Sequence, residues 1–293
     1  MGAQPHSEPG NISRGILTIC AGVAFLVCND AIAKILTDRY DPVQIIFLRN
    51  LIAVPMIVAL VLALRGSHAL RTRHLWVHAL RGGLMLLGAY LYFTSLRFLP
   101  LAEATALIFS APIFITALSV PLLGETVGWR RWGAVLLGFI GVLVIVQPGA
   151  EGFQPAALLP VAAAALYALF MVSARWIGPS EGIWTMMLFV VLFPMLYAAP
   201  FALWVWTPVR AEDLGLFAAI AVLGSLGITL IGQAFRMAPA AVVAPFDYTA
   251  LIWAVALGWL IWGDVLAVST GVGALIIVAS GIIIVLREAA RPR

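Results

Sequence analysis

Charge is what this sequence has least of. Only 10% of its residues are Asp, Glu, Lys or Arg, against roughly a quarter in a soluble domain, while 63% are hydrophobic. The surrounding solvent must therefore be lipid. Cysteine is almost as scarce: Cys20 and Cys28 both fall in the first apolar run and read as small buried hydrophobes, which excludes a disulfide framework or a thiolate metal site. No metal and no cofactor is expected. The formal charge of +4 is spread as single arginines between apolar runs, so both disorder and nucleic-acid binding are excluded. Catalytic signatures are missing as well, with no HExxH, no Gly-x-Ser-x-Gly elbow and no phosphate-binding glycine loop. His6, His68, His74 and His78 lie in the N-terminal stretch or in one loop and its edge. An intramembrane enzyme is the competing class, and it has no constellation to work with; an ATP-driven pump would need a soluble nucleotide domain that the short connections cannot hold.

What the chain does have is apolar length. A spanning helix takes about 20 mostly apolar residues at 1.5 Å each. Ten segments qualify, near 15–37, 43–64, 76–98, 102–123, 132–148, 156–177, 182–206, 214–237, 241–262 and 267–286, an all-α integral membrane fold. Pro42, Pro100, Pro155, Pro179, Pro208 and Pro239 stand at or beside the breaks, where a missing N–H costs least. With the N-terminus inside, the inner connections collect Arg65, Arg71, Arg73, Arg130, Arg131, Arg175 and Arg236, and the outer ones only Arg39, Arg97 and Arg210. Short cytoplasmic loops retain Lys and Arg, so both termini are expected in the cytoplasm. Residues 1–13, polar and without the pattern of a cleavable signal, are expected as a flexible cytoplasmic tail, and residues 287–293 as a basic one.

The sequence also repeats. A shift of 139 residues lays LRFLPLAEATALIFSAPIFITALSVPLLGE over FRMAPAAVVAPFDYTALIWAVALGWLIWGD, matching Arg97 to Arg236, Pro100 to Pro239 and Gly124-Glu125 to Gly263-Asp264. Chance matches of Ala and Leu are cheap in apolar sequence, but Arg, Pro and a Gly-acid pair in one register are not. Residues 14–149 and 150–286 are thus read as two repeats of five spans, and an odd number forces the second into the membrane upside down. Inverted repeats are a common build of secondary transporters, with the solute site near the midplane.

Within the first repeat, RGGLMLLGAYLYFTSLRFLPLAEATALIFSAPIFITALSVPLLGE followed by WGAVLLGFIGVLVIV resembles the drug/metabolite transporter superfamily, EamA type, with Arg49 in IIFLRN, Arg81 in RGG and LRFLPLAEA before a Gly-Glu turn carrying the likeness. The resemblance implies a ten-span secondary transporter of the bacterial inner membrane, moving a small organic solute. That family serves many solutes, including amino acids, nucleotide-like cofactors and riboflavin. Length, layout and abundant aromatics look most like the aromatic amino-acid exporter branch, so export of aromatic or large neutral amino acids is the leading expectation. A cofactor-like solute such as riboflavin or S-adenosylmethionine is the alternative, with protons as a candidate coupling ion.

Charges near the bilayer core cost at least about 2.5–3.5 kcal/mol on insertion scales, which makes intramembrane acids candidates by default. Asp30 is one, although Lys34 at i+4 offers it a partner on its own helix. Arg49 and Arg81 lie near span ends and read as anchors. Asp247 aligns with Ile108 of the other repeat, so the shared fold works there without a charge; solute or proton binding competes with a pair to Arg236. Tyr90, Phe93, Thr94 and Arg97 share one helical face, whose counterparts in the other repeat include Gln233. Phe109, Ser110, Tyr167, Tyr248, Thr249 and Trp253 complete the candidates for an aromatic-lined pocket, with packing between helices as the bland alternative.

Overall fold

In the computed structural model, which describes residues 9–66, 70–124, 126–149, 153–177 and 181–289, the chain is a bundle of helices with no strand among the described residues. In order these are α1 (Pro9–Thr37), α2 (Pro42–Arg65), α3 (Leu75–Leu96), α4 (Leu101–Ile108), α5 (Ala111–Leu123), α6 (Trp129–Val146), α7 (Leu158–Ser173), α8 (Ile183–Trp204), α9 (Leu214–Met237), α10 (Ala240–Val243), α11 (Ala250–Trp262) and α12 (Val268–Ala289). Residues 9–13, expected as tail, begin α1 instead, and residues 1–8, 290–293 and Glu125 lie outside the described residues.

Helix ends follow local chemistry. The Asp41 carboxylate accepts the Val43 N–H at 2.9 Å, and Pro42 supplies a preset φ at the start of α2. Gly124 (φ +67°) and Gly263 (φ +71°), matched by the repeat register, both adopt the left-handed conformation that closes α5 and α11. Among the described residues, eight segments are long and apolar enough to cross a bilayer: Ile12–Thr37, Pro42–Ala63, Leu101–Leu123, Pro155–Trp176, Trp184–Trp204, Ala211–Met237, Ala244–Trp262 and Val268–Leu286. Two of the ten expected spans fall short on this measure. In α3, His78, Arg81 and the glycines dilute the apolar character, and α6 is apolar only over Trp132–Val146.

Two expected spans are also not continuous helices. The first breaks at Phe109-Ser110 between α4 and α5, because Pro112 has no N–H to give and its ring would meet the Ile108 carbonyl. In the second, a 3₁₀ run, Ala244–Thr249, with Pro245 at its start, precedes α11. At each break a hydroxyl takes up a carbonyl: Ser110 Oγ donates to Leu107 O and Thr249 Oγ1 to Phe246 O, both at 2.7 Å.

The helices interleave. α1 lies along α9, where a Cβ on Gly22 would stand 2.9 Å from the Gly227 carbonyl oxygen, and one on Gly227 equally close to that of Gly22. α6 and α12 meet the same way at Gly141 and Gly273. α2 packs on α8, and α3 on α7 and α8. Exchanging α1–α6 for α7–α12 sends α1–α9 to α3–α7, α2–α9 to α3–α8 and α1–α11 to α5–α7, all of them pairs in contact; α2–α8 and α6–α12 map onto themselves. Inside, Ile19, Val23, Leu36, Ile45, Leu96, Leu107 and Ile220 are sealed, while Leu203, Leu260 and Leu275 stand on the outer surface with Trp76, Trp129, Trp204 and Trp259, as lipid solvent allows.

Candidate functional site

The two helix breaks meet. The Phe109 ring, at the end of α4, lies 4.9 Å from the Tyr248 ring in the 3₁₀ run, tilted by 59°, and these are the positions that the 139-residue register equates. Tyr248 is seated by α12: its hydroxyl reaches Gly281, where any Cβ would collide with it. Beside it Asp247 is half-buried, and its carboxylate has neither a hydrogen bond nor an ion pair among the described residues, so the pair to Arg236 is not formed. Its charge acts on Tyr248 and on Tyr167 of α7. Of the expected candidates, Asp247, Tyr248 and Phe109 thus lie at the meeting of the two breaks, while Tyr167 is 40% exposed on α7.

Asp30 is in a different situation. It accepts from Asn29 Nδ2 at 3.0 Å and from the Tyr92 hydroxyl at 3.2 Å, and feels the charge of Arg49, whose guanidinium covers the Phe93 ring at 5.6 Å. Lys34 is not its partner. The Lys34 ammonium instead donates to Leu96 O (2.9 Å) and Leu99 O (2.6 Å), capping the end of α3, while Arg97 returns the favour to α1 through Thr37 O (3.0 Å) and Tyr40 O (2.7 Å). Helix C-termini offer unpaired carbonyls and a negative dipole end, which outcompete a same-helix carboxylate for the lysine. Tyr92 and Asn29 were not legible as partners. Tyr92 lies two residues from Tyr90, on another side of α3 from the aromatic-hydroxyl face, and Asn29 is an inconspicuous amide that is 3% exposed.

Thr94 donates to Tyr90 O at 2.6 Å within α3, Ser110 is fully buried at the first break, and Gln233 is exposed on α9. Trp253, expected to floor the pocket, lies instead 43% exposed on the outward strip of α11 with Ile252 and Leu260. Helical phase explains this: Ala250, Ala254 and Gly258 form the inward strip, and Trp253 points away from it. Arg81 is an anchor of a different kind from a snorkelling side chain. It is buried, donates to Phe170 O at 2.7 Å and lies over the Phe170 ring at 4.1 Å, closing the end of α7.

Polar ties close both ends of the bundle. At the α1–α2 turn, the Tyr40 hydroxyl donates to Asp213 at 2.7 Å and accepts the Arg210 N–H at 3.1 Å, Arg39 binds Asp213 and Glu212, and Gln44 exchanges two bonds with the Thr207 backbone. At the opposite end, Glu181 before α8 takes His78 Nε2 at 2.6 Å, the Arg73 N–H at 3.0 Å, the His74 N–H at 3.3 Å and the Thr72 hydroxyl. Burial works to raise the Glu181 carboxyl, but the bonds from Thr72, His78 and the Arg73 N–H, with the His78 charge, hold it below the ordinary glutamate range.

This geometry finds company among known proteins. Residues 13–147 match the EamA-like transporter family, and the chain is 30% identical to an S-adenosylmethionine uptake transporter of Rickettsia conorii over 89% of this chain and 88% of that one. The chain belongs to the EamA-type drug/metabolite transporter superfamily. As an EamA-type protein it is a multi-pass protein of the bacterial inner membrane, and its relatives are named as transporters. A riboflavin transporter of Vibrio cholerae is 31% identical over 89% of each chain. A solved crystal structure, 21% identical, superposes with a TM-score of 0.62 over 95% of this EamA-type chain and 99% of its own, which establishes a shared fold.

Proposed function

We propose that this protein is a secondary transporter of a cofactor-sized metabolite, working by alternating access between two inverted five-helix repeats that together cross the membrane ten times. The observation that carries the reading is the meeting of two helix breaks at Phe109 and Tyr248, with the unpaired Asp247 alongside. Broken helices facing each other near mid-membrane are how transporters present polar groups to a solute. The repeat is supported by the exchange symmetry of the packing and by the matched caps at Gly124 and Gly263. The arginine bias supports cytoplasmic termini.

Amino-acid export, the leading expectation from sequence, gives way to the cofactor-like alternative. Relatives named for S-adenosylmethionine and riboflavin favour the latter. Of the two acids singled out within their spans, Asp30 is engaged, whereas Asp247 has no partner among the described residues and can take a proton or a positive group from the solute. Purified protein in liposomes should take up S-adenosylmethionine or riboflavin saturably. If neither crosses faster than in protein-free liposomes, while large neutral amino acids do, the amino-acid reading is restored.

A further inference from the structure

Resting on that transport reading, we infer that Asp247 is the subsite for an onium centre, so that the solute is an organic cation carrying a sulfonium or ammonium group rather than a neutral flavin. Asp30 and Asp247 are acids of the same chemistry within apolar spans, and the fold treats them oppositely. Asp30 is given an amide, a phenol and a nearby guanidinium. Asp247 is given no donor and no cation among the described residues, and it remains half-buried rather than sealed. An ionised carboxylate in an apolar segment is expensive unless something positive arrives to pair with it.

The surroundings select what that something is. Asp247 is followed directly by Tyr248, whose ring lies 4.9 Å from that of Phe109, so the acid stands next in the chain to a member of an aromatic pair. A carboxylate beside ring faces suits a positive centre that has few or no N–H groups to donate, since the rings offer attraction without hydrogen-bond acceptors. The repeat strengthens the assignment. Ile108 occupies the equivalent position in the first half, where the helix break forms equally well, so the charge is not there to make the break. A neutral flavin brings the acid no counter-charge.

The test uses the full chain in proteoliposomes, with S-adenosylmethionine as the labelled cation. Its competitors are S-adenosylhomocysteine, the same molecule without the methyl and its positive charge, and riboflavin. The expected result is saturable uptake that S-adenosylmethionine inhibits at about tenfold lower concentration than S-adenosylhomocysteine. That preference should collapse toward one in Asp247→Asn and be retained at least in part in the charge-conserving Asp247→Glu, as a lost charge-assisted contact predicts. Normal size-exclusion profiles of the variants show that folding is intact; if Asp247→Asn alone misfolds, Asp247→Ile, the residue of the other repeat, is read in its place, and an undiminished preference in the uncharged variant would overturn the assignment. Saturable uptake of riboflavin with no competition from S-adenosylmethionine would overturn the cation assignment while leaving the transport reading in place. Uptake of none of these solutes, nor of amino acids, would overturn both.

Discussion

Glu181→Gln should release one end of the bundle while leaving the other closed. The wild-type carboxylate, 7% exposed, accepts four donors from the α2–α3 connection and the first turn of α3: Thr72, Arg73 N–H, His74 N–H and His78. Glutamine keeps the volume but has no charge and a single acceptor oxygen, and its NH₂ faces donors. His78, 2% exposed, then loses its acceptor. A buried donor left without a partner costs about 1–3 kcal/mol, and hydrogen bonds to a charged group contribute about 1.5–3 kcal/mol, so the tie should weaken by roughly 2–3 kcal/mol. Since 1.4 kcal/mol is about tenfold in an equilibrium, backbone amides of residues 70–78 should exchange with deuterium about 30- to 140-fold faster in the variant. Peptides from the α8–α9 connection should not change. The wild-type tie also has a pH signature of fixed sign. The folded carboxyl titrates below its unfolded value near 4.3, so its contribution is complete above that value and is lost as the pH falls through the depressed one, a loss that Glu181→Gln cannot show. Unchanged exchange at residues 70–78 in Glu181→Gln would refute the reasoning.

At the opposite end, Tyr40→Phe strips the nearly buried Asp213 and the Arg210 N–H of a shared hydroxyl and should cost about 1–2 kcal/mol, read as a lower melting temperature in detergent; an unchanged melt would mean water replaces the phenol. Gly141→Val places a side chain against the Gly273 carbonyl, which a Cβ would approach to 2.8 Å, and should destabilise the α6–α12 contact by about 1–3 kcal/mol, whereas Gly133→Ala, in open space, should be neutral. For orientation, Arg210→Cys should react with an impermeant thiol reagent in whole cells and Arg71→Cys should not; the reverse pattern would invert the topology.

What could be read from the sequence was whatever depends on neighbours along the chain. Pro42 with Asp41, the glycines at 124 and 263, and the apolar stretches between them act within a few residues, and the helices start and stop there. The break at Phe109-Ser110 carried a usable signal in Pro112 that was outweighed by the unbroken apolar run around it. Partner choice was not legible. Lys34 had Asp30 one turn away but found the end of α3, because an acceptor supplied by another helix leaves no mark on local spacing. Glu181 looked like a polar residue in a connection, and only the approach of the α2–α3 loop gives it four donors. Asp247 was singled out by comparison with Ile108, a difference between halves and not a property of its own helix.

The interleaving of the helices bears on how such a molecule is made. The closest neighbour of α1 is α9, that of α2 is α8, and α6 rests on α12, so the glycine surfaces of the first half have little to close against until the second half has left the ribosome. Through most of synthesis the nascent chain sits in the bilayer as separate helices whose small-residue faces are covered by lipid alone. That interval is when a membrane protease or chaperone would meet it. It follows that a chain truncated after α6 should not persist as half a transporter; to survive, it would have to borrow the missing faces from a second copy of itself.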